Sequence, residues 1–165
     1  MTENHFPENL IKGRIAETVF ELMFREGTDY DVYPLGYEHI TPILRQYRDH
    51  PNFVNKDIIN KVLDNYNESP DFLLTNHNKS EVYLVEVKYR SKFDQQEILK
   101  IAKEINERWH PAHLFLATPE KFYYDPLTTI IEKQGNMDPL REAIINTERQ
   151  KFYHDLLMRF EKFSQ

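Results

Sequence analysis

The sequence predicts an α/β fold of three αβα layers, in which helices cover both faces of a mixed, mostly antiparallel central sheet of about four strands. Segments with the apolar spacing of helices alternate with short segments rich in Val, Tyr and Phe. Two of the β-type segments are separated only by a short polar turn, which is typical of an antiparallel hairpin. A chain of 165 residues is long enough to bury one hydrophobic core, so we expect residues 1–165 to form a single domain.

The first part of the chain predicts a helix, a strand and an insertion. Residues 7–26 have helical apolar spacing, and Gly27 suits the end of a helix. Residues 30–38 carry Tyr and Val on a β-favouring background and predict a strand. Thr41-Pro42 is typical of a helix cap and first helical position, so residues 41–66 predict a pair of inserted helices.

The middle of the chain predicts a hairpin. Residues 70–75 form a short apolar segment, and the polar residues 76–79 suit a turn. Residues 81–89 give the strongest strand signal in the chain, because apolar residues alternate with other types along a β-branched background.

The last part of the chain adds a helix, a strand and a long terminal helix. Residues 94–109 place apolar side chains on one helical face, and residues 112–118 read as a strand buried on both faces. Residues 119–135 give no clear prediction. Asp138-Pro139 suits a helix start, so we expect a C-terminal helix over residues 138–163.

Composition excludes several classes of function. The chain has no cysteine, which excludes disulfides, thiolate metal sites and cysteine nucleophiles. Lys plus Arg is 21 and Asp plus Glu is 27, so the net charge of −6 argues against a large non-specific nucleic-acid surface, although it allows a local basic groove. No secretory signal and no apolar run of about 20 residues is present, so we expect a soluble, cytoplasmic protein without a membrane partner.

Two charged residues occur in the strand that otherwise reads as central. Alternation places Val82, Leu84, Glu86 and Lys88 on one face of that strand. Burying a charge costs roughly several kcal/mol, unless the charge is paired or binds a metal. Glu86 and Lys88 therefore indicate either an ion pair or a metal-binding site.

Two further carboxylates can join Glu86. Asp71 opens the preceding strand, and the hairpin brings that strand alongside the one that carries Glu86. Glu17 lies among the apolar residues of one face of the first helix, between Gly13 and Phe20, so the helix directs it inward.

These residue types suit the chemistry of a metal-dependent hydrolase. Mg²⁺ or Mn²⁺ prefers carboxylate and water oxygens, lowers the pKa of a bound water and neutralises charge on a phosphate. A lysine beside that water can orient it and stabilise the negative charge that develops. Asp71 and Glu86 are the predicted metal ligands with Glu17 in support, and Lys88 is the predicted catalytic amine.

The pattern Pro70-Asp71, fourteen residues, then Glu86-Val87-Lys88 resembles the signature of the PD-(D/E)xK nuclease superfamily, which has the restriction-endonuclease-like fold. The resemblance covers roughly residues 7–118 and implies a magnesium-dependent nuclease that acts on DNA, or on RNA. It implies that Asp71 and Glu86 bind the metal, that Lys88 assists the water and that Glu17 is the acidic residue many members carry on the first helix.

Flanking polar residues are weaker candidates. Arg90 and Lys92 continue the Lys88 side of the strand and could contact phosphates, or they could form a solubilising strand end. By the same resemblance, Gln95 matches the polar residue that many members carry on the helix after the motif, and Gln96 is an alternative.

Other interpretations remain open at this point. Glu86 and Lys88 could form a surface ion pair on an edge strand, Asp71 could serve the turn after Pro70, and Glu17 could be solvated. For the whole protein, the alternatives are a nuclease-fold protein that no longer cleaves and acts as a nucleic-acid-binding or assembly module, and a helix-mediated interaction protein. A homo-oligomer would also build a larger basic groove from small acidic subunits.

Overall fold

A computed structural model of the chain describes residues 6–35, 69–76 and 81–162. The described part is an α/β fold built on one mixed sheet. In chain order its elements are α1 (Phe6–Gly27), β1 (Tyr30–Pro34), β2 (Phe72–Asn76), β3 (Val82–Tyr89), α2 (Gln95–Asn106), β4 (Ala112–Ala117), β5 (Phe122–Pro126), α3 (Leu127–Glu132) and α4 (Thr147–Lys162).

The strands lie in the order β1-β2-β3-β4-β5, so β3 is the central strand of the sheet. The β1/β2, β2/β3 and β4/β5 pairs are antiparallel, and the β3/β4 pair is parallel. Because parallel neighbours need a crossover, α2 provides the connection from β3 to β4. The predicted mixed, mostly antiparallel sheet and its hairpin are confirmed, and the sheet has one strand more than expected.

Helices cover both faces of the sheet, which confirms the predicted three layers. On one face, α1 and α4 pack over a core in which Phe20 contacts the rings of Phe24 and Phe115 at 4.3 and 5.1 Å. On the other face, α2 and α3 enclose a second apolar cluster that includes Ile98 and Leu114. Alternate residues of β4 enter the two cores, so this strand is buried on both faces as predicted.

The additional strand lies in the region whose secondary structure had no clear sequence signal. Residues 119–135 contain β5 and α3, and β5 pairs with β4. The predicted helical pair at residues 41–66 lies outside the described residues. Only the first five residues of the predicted 30–38 strand form β1, and residue 36 onward is outside the described part.

The prediction of a helix start at Asp138-Pro139 is wrong. The Asp138 carbonyl accepts from Tyr124 N–H at 3.3 Å, Leu140 N–H donates to Phe122 O at 2.9 Å, and Pro139 bridges to Tyr123. These residues therefore extend along β5, and this tertiary pairing overrides the local cap signal. The helix instead begins at Thr147, where the Asn146 side chain accepts from Arg149 N–H at 2.9 Å.

The remaining helices follow local rules. Asp94 caps α2, because its side chain accepts from the N–H groups of Gln96 and Glu97 at 3.0 and 3.1 Å. Gly135, with φ of +91°, ends the turn that follows α3, in a conformation that favours glycine. No helix among the described residues combines the length and the apolar character needed to cross a membrane.

Aromatic side chains form a row at the end of the sheet where β1 begins. His113 lies between the rings of Tyr83 and Tyr124, with centroids 4.9 and 5.1 Å away. Its buried Nδ1 has no hydrogen-bond partner in the described part of the chain. Burial lowers the pKa of His113 to about 4, so the ring is neutral at physiological pH.

Candidate active site

Asp71 lies at the point where the β2/β3 ladder ends. Asn76 N–H donates to Glu81 O at 3.3 Å, and in an antiparallel pair such bonded positions recur at every second residue. Continued along the strands, this spacing directs the Val87 N–H toward β2, opposite Pro70. The Asp71 Oδ2 atom accepts that N–H at 2.7 Å. The carboxyl group is therefore fixed to β3, sixteen residues away, rather than used in a local turn.

Glu86 lies on β3, close to the point where Asp71 ends the β2/β3 ladder. The register pairs Phe72 with Val85, and Asp71 and Glu86 are the residues that follow this last pair at the end of the ladder. Phe72 and Val85 both enter the core beneath α1, and alternation along β3 turns Glu86 to the opposite face. The carboxyl groups of Asp71 and Glu86 interact electrostatically, and their joint role as metal ligands stays a prediction.

Lys88 contacts Glu86 directly, because its Nζ donates to a carboxylate oxygen of Glu86. The Glu86 side chain is only 12% exposed and the Lys88 side chain 33% exposed. Since β3 is the central strand, the interpretation as a surface ion pair on an edge strand is wrong. The amine, one carboxylate and the neighbouring Asp71 form a half-buried polar cluster in an otherwise apolar strand.

Glu17 approaches this cluster from α1. The flanking residues Ala16 and Phe20 are fully buried against the sheet. The Glu17 carboxyl interacts electrostatically with Asp71 and with Lys88. Glu17 therefore interacts electrostatically with Asp71, Glu86 and Lys88 from a distant part of the chain, while the direct side-chain contact in this group is that of Lys88 with Glu86.

Arg14 is a site residue that the sequence analysis missed. Its Nη1 lies 3.5 Å from a carboxylate oxygen of Glu17, one helical turn away. Its positive charge also lowers the pKa values of Glu17 and Asp71, so it acts on both sides of the site. The sequence signal for Arg14 was its position three residues before Glu17, because side chains with this spacing lie on the same face of a helix.

Crowding of the three carboxyl groups disturbs their acid strengths. Burial, followed by the negative charge of Glu86, raises the pKa of Asp71 to about 7. Burial also raises the pKa of Glu86, although Lys88 opposes it. Burial and the charge of Asp71 raise the pKa of Glu17 above its usual range. Burial and mutual repulsion therefore disfavour the charged forms of the three carboxyl groups.

The pKa of Lys88 is also raised, and for an amine this shift favours the charged form. Burial alone would lower its pKa, but the negative charges of Glu86 and Asp71 outweigh this effect, and the pKa rises above its usual value. The amine is therefore charged near neutral pH. As a cation between two carboxylates, it occupies the electrostatic position that a metal ion would also favour.

The donor set fits a hard divalent cation that keeps part of its water shell. The described residues contain no group of three or more acidic, histidine or cysteine side chains already arranged around one metal position. Mg²⁺ is commonly held by one or two carboxylates, with waters and substrate oxygens completing its octahedron. Asp71 and Glu86 supply two such carboxylates, and the repulsion between them is what a cation would relieve. The role of Glu17 as a third ligand stays a prediction.

The flanking candidates have distinct surroundings. Arg90 donates from Nε to a Glu97 oxygen at 2.7 Å and from Nη1 to the Tyr89 carbonyl at 2.8 Å. Lys92 is exposed. Gln95 donates from Nε2 to Gln134 O at 2.9 Å, which ties the start of α2 to the turn after α3. This bond gives Gln95 a structural contact, and its role at the site stays a prediction.

Comparison of the chain with models of known protein families finds no match. Comparison with characterised proteins finds none either. The geometry of the site is therefore the basis for an assignment of function.

Proposed function

We propose that the protein is a magnesium-dependent nuclease of the PD-(D/E)xK type, which hydrolyses phosphodiester bonds in DNA. The observation that carries this proposal is that Asp71 is bonded to β3 next to Glu86, with the Lys88 amine in contact with Glu86. Two buried carboxylates and one buried amine are costly to keep unless they serve a purpose.

Each residue has a role in this mechanism. Asp71 and Glu86 would hold the metal, which supplies Lewis acidity: it neutralises phosphate charge and makes a neighbouring water more acidic. Lys88 donates hydrogen bonds that orient the attacking water and stabilise negative charge as the phosphate is attacked. The Val87 N–H fixes the orientation of the Asp71 carboxyl group. Glu17 and Arg14 adjust the net charge around these groups.

The test compares wild type with Lys88→Met, which keeps the length of the side chain and removes its charge. Labelled single-stranded and double-stranded DNA are incubated with Mg²⁺ or Mn²⁺, with and without a chelator. We expect metal-dependent cleavage that falls about 100-fold or more in Lys88→Met, since loss of one preorganised donor has this order of effect. Lys100→Met is the matched control, because Lys100 is exposed on α2, and it should cleave like wild type.

Metal binding provides a readout that does not require cleavage. Titration with Mn²⁺ should raise the melting temperature of wild type and leave that of Asp71→Asn unchanged, since a ligand stabilises only the state that binds it. Cleavage that persists at the wild-type rate in Lys88→Met would show that the chemistry takes place elsewhere.

A non-cleaving binding module is the second candidate. The net charge of −6 favours it, because it limits the attraction of the protein for a long polyanion. DNA binding without cleavage by wild type, under either metal, would support this function over the nuclease.

A further inference from the structure

Arg90 continues the strand that carries the candidate active site. Its N–H donates to Ala117 O at 2.9 Å, so the β3/β4 ladder runs one residue beyond β3. Side chains alternate between the two faces of an extended chain, so Arg90 follows Glu86 and Lys88 on their face of the sheet. Two residues of strand span about 6.6 Å, and the charge of Arg90 acts on the Lys88 amine. Arg90 is therefore a neighbour of the candidate site.

Glu97, in the first turn of α2, holds the Arg90 side chain. The Nε of Arg90 donates to a Glu97 carboxylate oxygen at 2.7 Å, and its Nη1 donates to the Tyr89 carbonyl at 2.8 Å. The helix α2 is itself fixed on this face of the sheet, because the adjacent Ile98 is fully buried in the same apolar cluster as Leu116. The guanidinium group is thus oriented by a strand and a helix that are both packed into the fold.

These bonds leave part of the Arg90 guanidinium group for another acceptor. They use two of its five N–H donors, and the three others are on Nη1 and Nη2. The side chain is 32% exposed, so Glu97 and Tyr89 do not enclose it. An arginine whose plane is already oriented suits a phosphate, which accepts two parallel N–H donors from one guanidinium group.

Folding alone gives little reason for a second cation at this position. Arg90 opposes the charged form of Lys88, because like charges on one strand face repel each other. The ion pair with Glu97 offsets this repulsion only in part, since a partly exposed pair adds little to stability. An anion in contact with both cations would remove the repulsion. The arrangement therefore favours a negatively charged ligand that spans the two side chains.

We propose that Arg90 binds the phosphate next to the one that is attacked, and that Glu97 is a positioning residue that orients Arg90 for this contact. This inference rests on the nuclease proposed above and adds how its substrate is held. Because Lys88 and Arg90 are separated by two residues of extended strand, they suit successive phosphates of one nucleic-acid backbone better than a single phosphate group. The substrate is thus a polynucleotide rather than a mononucleotide.

The experiment measures binding without catalysis. A short fluorescein-labelled DNA, single-stranded or duplex, is titrated with protein by fluorescence anisotropy in Ca²⁺ instead of Mg²⁺, over a series of NaCl concentrations. The variants are Arg90→Gln, Arg90→Lys and Glu97→Ala. Lys100→Gln and Glu104→Ala are the matched controls, because these side chains are 76% and 63% exposed on α2. Thermal melting of each variant confirms that it is folded.

Arg90→Gln should reduce the steepness of log K against log salt by about 0.9 for duplex or about 0.7 for single strands, since one phosphate contact is lost. At physiological salt this corresponds to an affinity about four- to six-fold weaker. Arg90→Lys should keep the wild-type salt slope, because it keeps the charge, and should still bind more weakly, because an ammonium group lacks the paired donors. Lys100→Gln should bind like wild type.

Glu97→Ala separates positioning from charge. The substitution removes a negative charge, so net charge alone would make DNA binding tighter. If Glu97 orients Arg90, binding should instead become about two- to ten-fold weaker, because the released side chain must be ordered when DNA binds. Glu104→Ala removes the same charge from the same helix and should bind at least as tightly as wild type.

The outcomes separate this inference from the proposed function. If wild type cleaves DNA but Arg90→Gln binds with the wild-type affinity and salt slope, the phosphate contact is wrong and the nuclease stands. If the variants bind as expected but wild type cleaves nothing, the phosphate contact stands and the nuclease is wrong. Tighter binding by Glu97→Ala would overturn its positioning role. Wild type that binds neither form of DNA, or an equal loss in Lys100→Gln, would overturn the whole inference.

Discussion

Replacing Asp71 with asparagine should make the metal-free protein more stable near pH 8. The substitution removes a buried negative charge that Glu86 repels, and an amide oxygen can still accept the Val87 N–H. Because the folded-state pKa of Asp71 is raised, the folded protein holds this proton more tightly than the unfolded chain does. The stabilisation from that proton is fully present below about pH 3.8 and is lost as the pH rises through about 7.

The size of the effect follows from the pKa values. A rise from 3.8 to about 7 is about three pKa units, and one unit corresponds to about 1.36 kcal/mol. Wild type should therefore lose up to about 4 kcal/mol of its free energy of unfolding between acid and pH 8 through this group. Asp71→Asn does not titrate, so at pH 8 its free energy of unfolding should exceed that of wild type by up to the same amount.

The assay is urea denaturation of both proteins at a series of pH values, with a chelator present to keep metal away. Asp155→Asn is the control, because Asp155 is exposed on α4 and its removal should change the free energy of unfolding by less than about 0.5 kcal/mol. A stability difference between Asp71→Asn and wild type that is independent of pH, or that favours wild type at pH 8, would refute the account of a charge-crowded site.

Three further predictions concern the scaffold. Gly135→Ala should lower the free energy of unfolding in urea by about 2–4 kcal/mol, because φ is +91° and a Cβ would lie 2.1 Å from a backbone oxygen. Gly13→Ala, whose Cβ meets nothing within 4 Å, should raise it by about 0.5–1 kcal/mol. Phe20→Ala should lose about 3–5 kcal/mol by the same measurement because its ring is fully buried, whereas Phe152→Ala, 62% exposed, should lose less than about 0.5 kcal/mol. The depressed pKa of His113, about 4, means that the neutral ring contributes stability above about pH 6.5 that is lost as the pH falls through about 4. His113→Phe should therefore gain up to about 3 kcal/mol relative to wild type in denaturation at pH 4, and a constant difference across pH would contradict this.

The sequence predicted those parts of the fold whose signals are local. The alternation in β3 fixed which side chains share a face, and it placed Glu86 and Lys88 together correctly. The hairpin then required Asp71 to approach Glu86, because a register slip of one residue would have turned the apolar residues of β2 out of the core.

The elements that were missed depend on tertiary pairing. β5 is five residues long and ends at Pro126, so its sequence alone carries little strand signal, and β4 supplies its pairing partner. Asp138-Pro139 has the local form of a helix start, but its backbone groups bond to β5 instead. In both cases the neighbouring strand determines the outcome.

Parts of the candidate site were hidden for a similar reason. The influence of Arg14 on Asp71 depends on how α1 is rotated where it lies against β3. Helical periodicity indicated an inward face, yet α1 has apolar residues on more than one side, so its rotation could not be deduced from spacing alone.

The end of β1 has a consequence for how this scaffold can diversify. Leu35 N–H donates to the Asp71 carbonyl at 2.9 Å, so the residue after β1 and the residue before β2 lie next to each other. A segment inserted between two such neighbouring residues can change in length or sequence without shifting the register of the strands. Evolution, or a protein engineer, therefore has a graft point beside Asp71, where an inserted segment can vary without displacing that residue.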